Sequence, residues 1–440
     1  MMHREQWIQR RHGHLLLPAI VLLGMALRLL ALVGFQHTPE SDELAYQSMA
    51  LGLVHGQAMV DNMGNYAMYN VGYPLFVLAP AWAVFGESVW VARLANLALG
   101  GLSIVLCYTL AKEAGAARLG RLAAPAAWAL YLPASVYGVY LAKENLVIPL
   151  VLGLLCCALR LLHKPNWSPA LGCGLLLGLL ALSGNAALSL AAAVLLALAW
   201  SALALPRKCA WGLAMVLLAV LVTAPWLERN ARLLGAPVLN TNGGFNFYTG
   251  NNPAATGWYM SIAETPRGAS WNSLRKLGEV QASEVLKREA MDWIAQHPAA
   301  FLSLAASKGM YFWMPPWHAG KGPGSGIETL VRVLWSLQYG VLAALAVASL
   351  GLRPLQPWRS RLTAVLWLAL ASYTAVHMLF FVSFRYREAI MPLLVVIAAL
   401  ALEALVAKTT NPPRVKTPTR PRWSYAPESH SDGDSAQSAR

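Results

Sequence analysis

The chain has 440 residues; 57% are hydrophobic, 12% are charged, and the formal net charge is +14. Soluble domains carry about a quarter charged residues, so this balance excludes an ordinary soluble fold. The Lys and Arg fall in short clusters between apolar runs, as cytoplasmic loops require, and are not interleaved with aromatics on one soluble face, as nucleic-acid binding would require.

Arg4, Arg10 and Arg11 precede a first apolar span at 15–35. Its length, the lack of an A-x-A site and the spans that follow predict an uncleaved helix with its N-terminus inside. Residues 36–70 contain no Lys or Arg, which predicts an outer loop. Residues 72–86 (GYPLFVLAPAWAVFG) are apolar but short and broken by Pro74 and Pro80, so they are expected at the interface or partway into the membrane. Further spans are predicted at 88–111, 122–137, 139–162, 168–182, 186–206 and 210–227. Lys112, Arg118, Arg121, Arg160, Lys164, Arg207 and Lys208 occupy alternate connections.

A polar segment runs over 228–298. Its first part (NTNGGFNFYTGNNP) reads as turns. Leu286, Ala290, Trp293 and Ile294 then fall on one helical stripe. Residues 299–314 either span or lie along the interface; the charge rule favours the interface, because the Arg-rich loop 353–361 and the basic tail then both lie inside. Spans at 330–352, 362–384 and 389–407 complete about ten transmembrane helices with both termini cytoplasmic. One domain is expected over 1–407, with outer loops at about 36–87 and 228–329 carrying short amphipathic helices. A disordered basic cytoplasmic tail is expected over 408–440. The five cysteines, all in or beside spans, show neither zinc spacing nor a disulfide framework.

The acids of HTPESDELAYQ stand just beyond the first span. Asp42 and Glu43 at a helix start are also what a helix dipole favours. Lys143 and Glu144 (YLAKENLVIPL), Arg229 (APWLE-R) and Arg385 with Arg387 (FRYREAIMP) sit at the outer ends of other spans. Cations on that side run against the usual bias. Together these residues describe an outer site where a carboxylate can act as general base and cations can stabilise a leaving phosphate.

These stretches resemble bacterial polyprenyl-phosphate-sugar-dependent glycosyltransferases of the GT-C fold, the group of aminoarabinose transferase and protein O-mannosyltransferase. The resemblance rests on SDELAYQSMALGLVHG, VGYPLFVLAPAWAVFG, LAKENLVIPL, APWLERNARLLGAPVLNTNGGFNFYTGNNPAATG and FRYREAIMP, and covers roughly residues 15–405. It implies transfer of a monosaccharide from a polyprenyl-phosphate donor to an envelope glycan, lipid or protein acceptor at the extracytoplasmic face of the bacterial cytoplasmic membrane, by inverting displacement. The catalytic role carries to Asp42, with Glu43 as neighbour and Glu144 as second acid. Lys143, Arg229, Arg385 and Arg387 would hold the donor phosphate. Where many relatives carry Arg at the end of the fifth span, this chain has ALSGNAAL. The resemblance fixes no cofactor, since some GT-C enzymes use a divalent metal and others do not; a divalent metal near Asp42, Glu144 and His37 is left open, and no tight ligand spacing points to one.

Tyr46, His55, Tyr69, Asn246 and Asn251 are candidate sugar or acceptor contacts, with surface-loop and turn roles as the simpler reading. Arg28, inside the first span, is either functional, snorkelling or paired with a carbonyl. Trp226, Trp258, Trp293, Trp313 and Trp317 fit an aromatic belt better than sugar platforms. The rival function is a flippase or transporter of lipid-linked sugar. Such proteins gather ionisable groups near the midplane and show repeats; here the charges gather at one face.

Overall fold

Apolar length sets the architecture. The computed structural model describes residues 2–315 and 326–410, with side chains from Leu15 onward except Ile327. The side chains of Arg4, Arg10 and Arg11, Trp317 and the tail beyond residue 410 lie outside the described residues. Among the described residues seven helices are long and apolar enough to cross a membrane, and an eighth crossing is added if a bent pair counts as one. The chain is an integral membrane protein. No β-strand occurs among the described residues; one isolated bridge joins Trp258 and Val382.

Helix α1 (Met2–Gly34) leads through the 36–41 loop into α2 (Asp42–Val54). A π-helical turn, Pro74–Leu78, continues into α3 (Ala79–Phe85). This short apolar unit packs on α2 and on α4 (Val89–Glu113). Helices α5 (Arg118–Leu130) and α6 (Leu132–Val136) follow, with a bend of 59° between α5 and the segment that begins at Leu132. Pro133 at the start of α6 supplies no backbone donor, which suits it to a helix start and not to a continuous helix. α7 (Glu144–His163) is the most buried candidate span and packs on α4 and α8 (Trp167–Ser183). Then come α9 (Ala191–Trp200) and the long α10 (Leu205–Leu234). α8, and α9 with the 3-10 turn before it, are apolar but shorter than these, so the expected ten crossings require both to span.

Beyond α10 lie α11 (Asn242–Gly250), α12 (Trp271–Arg275) and α13 (Glu279–Gln296). The expectation of turns throughout NTNGGFNFYTGNNP is corrected here: most of it is α11. Tyr248 of α11 buries against Leu286 and Ala290 of α13, so tertiary packing overrides the low helix propensity of Asn and Gly. α14 (Pro298–Trp313) packs on α16 (Arg361–Leu379). α15 (Gly326–Ser349) packs on α18 (Met391–Thr410), and the short α17 (Phe384–Glu388) lies between α16 and α18.

A buried charge, Arg28, and a half-buried one, Glu403, are explained by carbonyls and amides at helix ends. Arg28 donates to Gly24, Ala129 and Trp128 carbonyl oxygens, the last two at the broken end of α5. It therefore pairs with carbonyls, and Gly100 makes room for it: a Cβ there would stand 2.9 Å from the Arg28 side chain. Glu403 of α18 accepts from Ala117 N and Gly120 N, capping α5 at its positive end. A Cβ on Gly120 would lie 2.4 Å from the Glu403 carboxylate.

Candidate active site

The loop 137–143 breaks the apolar run before α7, and four side chains hold its shape. Arg93 donates to Val139 O and His37 O, joining this loop to the first one. Asn96 donates to Gly138 O and Tyr140 O, and Asn145 to Tyr140 O and Ala142 O. Glu43 accepts from Leu141 N at 2.6 Å while its other oxygen meets His37 Nε2 at 2.5 Å and Glu40 N at 3.1 Å. Leu141 N and the Gly138 and Val139 carbonyls, buried in this loop, would otherwise lack these partners. The result places Lys143 and Glu144 at the entrance to α7, facing the first loop.

Asp42 sits at the first position of α2. Its Oδ2 lies 2.6 Å from Arg385 Nη2, and Tyr69 hydrogen-bonds its side chain. Ser41 just before it has φ 51° and ψ −121°, the one positive φ outside glycine among the described residues. Strain of this kind costs about 1–3 kcal/mol and persists where surrounding contacts enforce it, commonly at active sites. Arg385 lies over the Tyr386 ring at 5.4 Å and feels the negative charge of both Asp42 and Glu144. Burial opposes its charge, and these acids outweigh burial, so the guanidinium is held firmly protonated. Burial lowers the Lys143 amine from its ordinary value, with Glu144 pulling it back up. The Tyr69 hydroxyl is pushed up by burial and by Asp42. Tyr46, buried beneath, meets Tyr69 and Tyr73 edge-on at 5.8 and 5.7 Å.

Two cavities flank this cluster. A polar one of about 220 Å³ is lined by Lys143, Glu144, His377, Tyr386 and five asparagines: Asn70, Asn185, Asn240, Asn242 and Asn246. Lys143 donates to Asn70, which donates to Asn185. An apolar one of about 240 Å³ is lined by Leu132, Pro133, Val136, Tyr137, Trp335 and Phe384, with Arg385 and Glu388 as its charged members. A third, of about 230 Å³, lies between the first loop and α11–α13; Tyr69 lines it together with Tyr259, Trp271 and Arg275.

The predicted residues thus divide. Asp42, Arg385, Tyr69 and Tyr46 form one cluster, Lys143 and Glu144 border it, and Asn246 lines the polar cavity. Others are placed elsewhere and correct the sequence reading. Glu43 has both oxygens committed to backbone and His37, so it is a structural clamp beside Asp42. Arg387 is fully buried and donates to Phe312 O and Met314 O, 4.2 Å over the Tyr339 ring, so it has no path to a phosphate. Arg229 ties Tyr66 O and Met59 O to α10 and stacks on Trp226. His55 is exposed and pairs with Glu87. Asn251 is buried between Phe247 O, Leu379 O and the Lys308 amine. Trp226 Nε1 and Trp313 Nε1 have internal acceptors, and Trp258 stacks on Tyr311. Among the described residues no three His, Cys, Asp or Glu side chains come together as a metal site, and His37 turns to Glu43. The residues that sequence reasoning missed are Asn70, Asn185, Asn240, Asn242 and His377 of the polar cavity, Arg93 and Asn96 that hold the 137–143 loop, and Glu388 of the apolar cavity.

Residues 73–227 match the family described as dolichyl-phosphate-mannose-protein mannosyltransferase. No curated protein sequence matches the chain. Among solved structures, the archaeal oligosaccharyltransferase AglB from Archaeoglobus fulgidus, in complex with an inhibitory peptide and a dolichol-phosphate, is 14% identical with a TM-score of 0.54, covering 93% of this chain and 53% of that one. The oligosaccharyltransferase of the same organism, tethered with an acceptor peptide, gives 16% and 0.55, with coverage of 92% and 50%. ArnT from Cupriavidus metallidurans bound to undecaprenyl phosphate gives 14% and 0.41, with coverage of 90% and 78%. The chain spans about half the length of the oligosaccharyltransferase structures. Its fold is the GT-C fold, as the resemblance implied.

Proposed function

We propose that this chain transfers a monosaccharide from a polyprenyl-phosphate donor to an acceptor at the extracytoplasmic face of the membrane, by inverting displacement with Asp42 as base. The observation that carries the reading is the Asp42–Arg385 pair at 2.6 Å, set between a polar and an apolar cavity. The aromatic and aliphatic cavity suits the first isoprene units of a lipid, with its phosphate on Arg385. The asparagine-lined cavity offers many fixed donors and acceptors, as a sugar requires. The third cavity reaches Asp42 through Tyr69 and is the route for the acceptor.

In the reaction, Asp42 takes the proton of the acceptor nucleophile as it attacks the anomeric carbon. The bond from that carbon to the phosphate oxygen breaks on the opposite side, and polyprenyl phosphate leaves with its charge on Arg385 and Lys143. Glu144 keeps both cations charged and placed. Glu43, Arg93 and Asn96 hold the two loops in register.

The test is transfer of label from a panel of polyprenyl-phosphate monosaccharides to envelope extracts by the purified chain. Transfer supports the reading. Donor binding without transfer, together with lipid scrambling across liposomes, would replace it with the flippase reading.

A further inference from the structure

Glu388 is the one charged side chain of the apolar cavity with no role in the reaction as described. It is 2% exposed, and neither carboxyl oxygen has a hydrogen-bond partner among the described residues. It stands three residues after Arg385 on α17, so the two share a face, and both line the same cavity. Arg387 makes no ion pair with it among the described residues: Arg387 Nη1 donates to the Phe312 and Met314 carbonyls, and the guanidinium acts on Glu388 only through its charge. A buried carboxyl left without a partner is costly, and is kept where it serves a ligand.

We propose that Glu388 is a second phosphate contact of the donor site: its neutral acid donates a hydrogen bond to the lipid-linked phosphate held by Arg385, and its ionised form repels that phosphate. This rests on the donor reading above. It makes phosphate affinity depend on pH through a residue that is neither the base nor the cation. Burial pushes the Glu388 carboxyl up to about 8, with Arg387 lowering it and Glu144 raising it further. The other titratable groups around it are Arg385 on its own helix, Tyr131 at the α5–α6 junction, and Tyr137 and Tyr140 after α6. A phosphate monoester loses its second proton near pH 6. Above pH 7 the ligand is therefore constant and the protein titrates.

The experiment measures binding of undecaprenyl phosphate to the full chain in detergent between pH 7 and 9.5, for wild type, E388Q and R385A. Wild type is expected to lose affinity steeply above pH 8, approaching tenfold per pH unit. E388Q, neutral and still a donor, is expected to keep the pH 7 affinity with a much flatter profile. Lys143 is intact in both, so the difference between profiles belongs to Glu388. A wild-type profile flat over this range overturns the inference even if E388Q does not fold. Equal slopes in the two proteins also overturn it. In either case loss of binding in R385A would leave the donor reading standing. If wild type binds no polyprenyl phosphate at any pH, both fall.

Discussion

Replacing Asp42 by Asn separates chemistry from architecture. Asn has the same shape and still offers an oxygen to Tyr69 and Arg385, so α2 and its partners keep their places. The lost ion pair contributes little to stability. The Arg385 and Asp42 side chains are 40% and 24% exposed, and partly solvated pairs of this kind stabilise by about 1 kcal/mol or less. What Asn cannot do is accept a proton. General base catalysis contributes roughly 10²–10⁴ in rate, which is about 3–5 kcal/mol at 1.36 kcal/mol per decade. D42N should therefore melt within a few degrees of wild type and transfer sugar at least a hundredfold more slowly at every pH. The assay is initial rate of label transfer at saturating donor, paired with thermal unfolding in detergent. A folded D42N with a rate within tenfold of wild type would refute Asp42 as base.

Three further outcomes follow from the same geometry. Glu43→Ala leaves Leu141 N buried without an acceptor, an expected loss of about 1–3 kcal/mol read as a lowered melting temperature; an unchanged melting temperature would refute the clamp. Ser41→Gly should raise the melting temperature, because glycine adopts a positive φ without the Cβ penalty, and lower activity if the strain holds Asp42 in place. Burial drives the Lys308 amine down to about 7 from 10.5, so from pH 7 to 10 the unfolded chain binds the extra proton. Wild type should therefore gain stability over K308M as pH rises through that window, by up to ~1.4 kcal/mol per unit; parallel melting curves would refute it.

The crossings were legible because apolar length is a one-dimensional signal. So was the gathering of Asp42, Arg385 and Lys143, since span ends with unusual charge are forced to one depth by the membrane itself. What sequence cannot give is direction around a helix end. Arg385 and Arg387 look alike in FRYREAIMP, yet one faces Asp42 and the other is buried against carbonyls. Asp42 and Glu43 are adjacent, and α-helical rotation sends one to the arginine and the other to Leu141 N. The asparagine-lined cavity was invisible for another reason. Asn and Gly mark turns in a sequence, and only packing against α13 shows that those around 242–246 form a helix that presents side chains to a cavity.

The resting ion pair has a consequence for donor binding that runs opposite to intuition. Arg385 is the proposed phosphate receptor, and in the ligand-free protein its charge is engaged by Asp42. A phosphate must therefore compete with the catalytic base, and its arrival frees the Asp42 carboxylate from the guanidinium to face the acceptor. Donor binding and release of the base are thus coupled through one guanidinium. Removing the competitor should strengthen phosphate binding. If the pair stabilises by about 1 kcal/mol after solvent screening, D42N should bind polyprenyl phosphate roughly fivefold more tightly than wild type. R385A should lose most binding, and the double variant should resemble R385A. Weaker binding by a folded D42N would mean that Asp42 helps to place the phosphate, and the competition between base and donor would have to be abandoned.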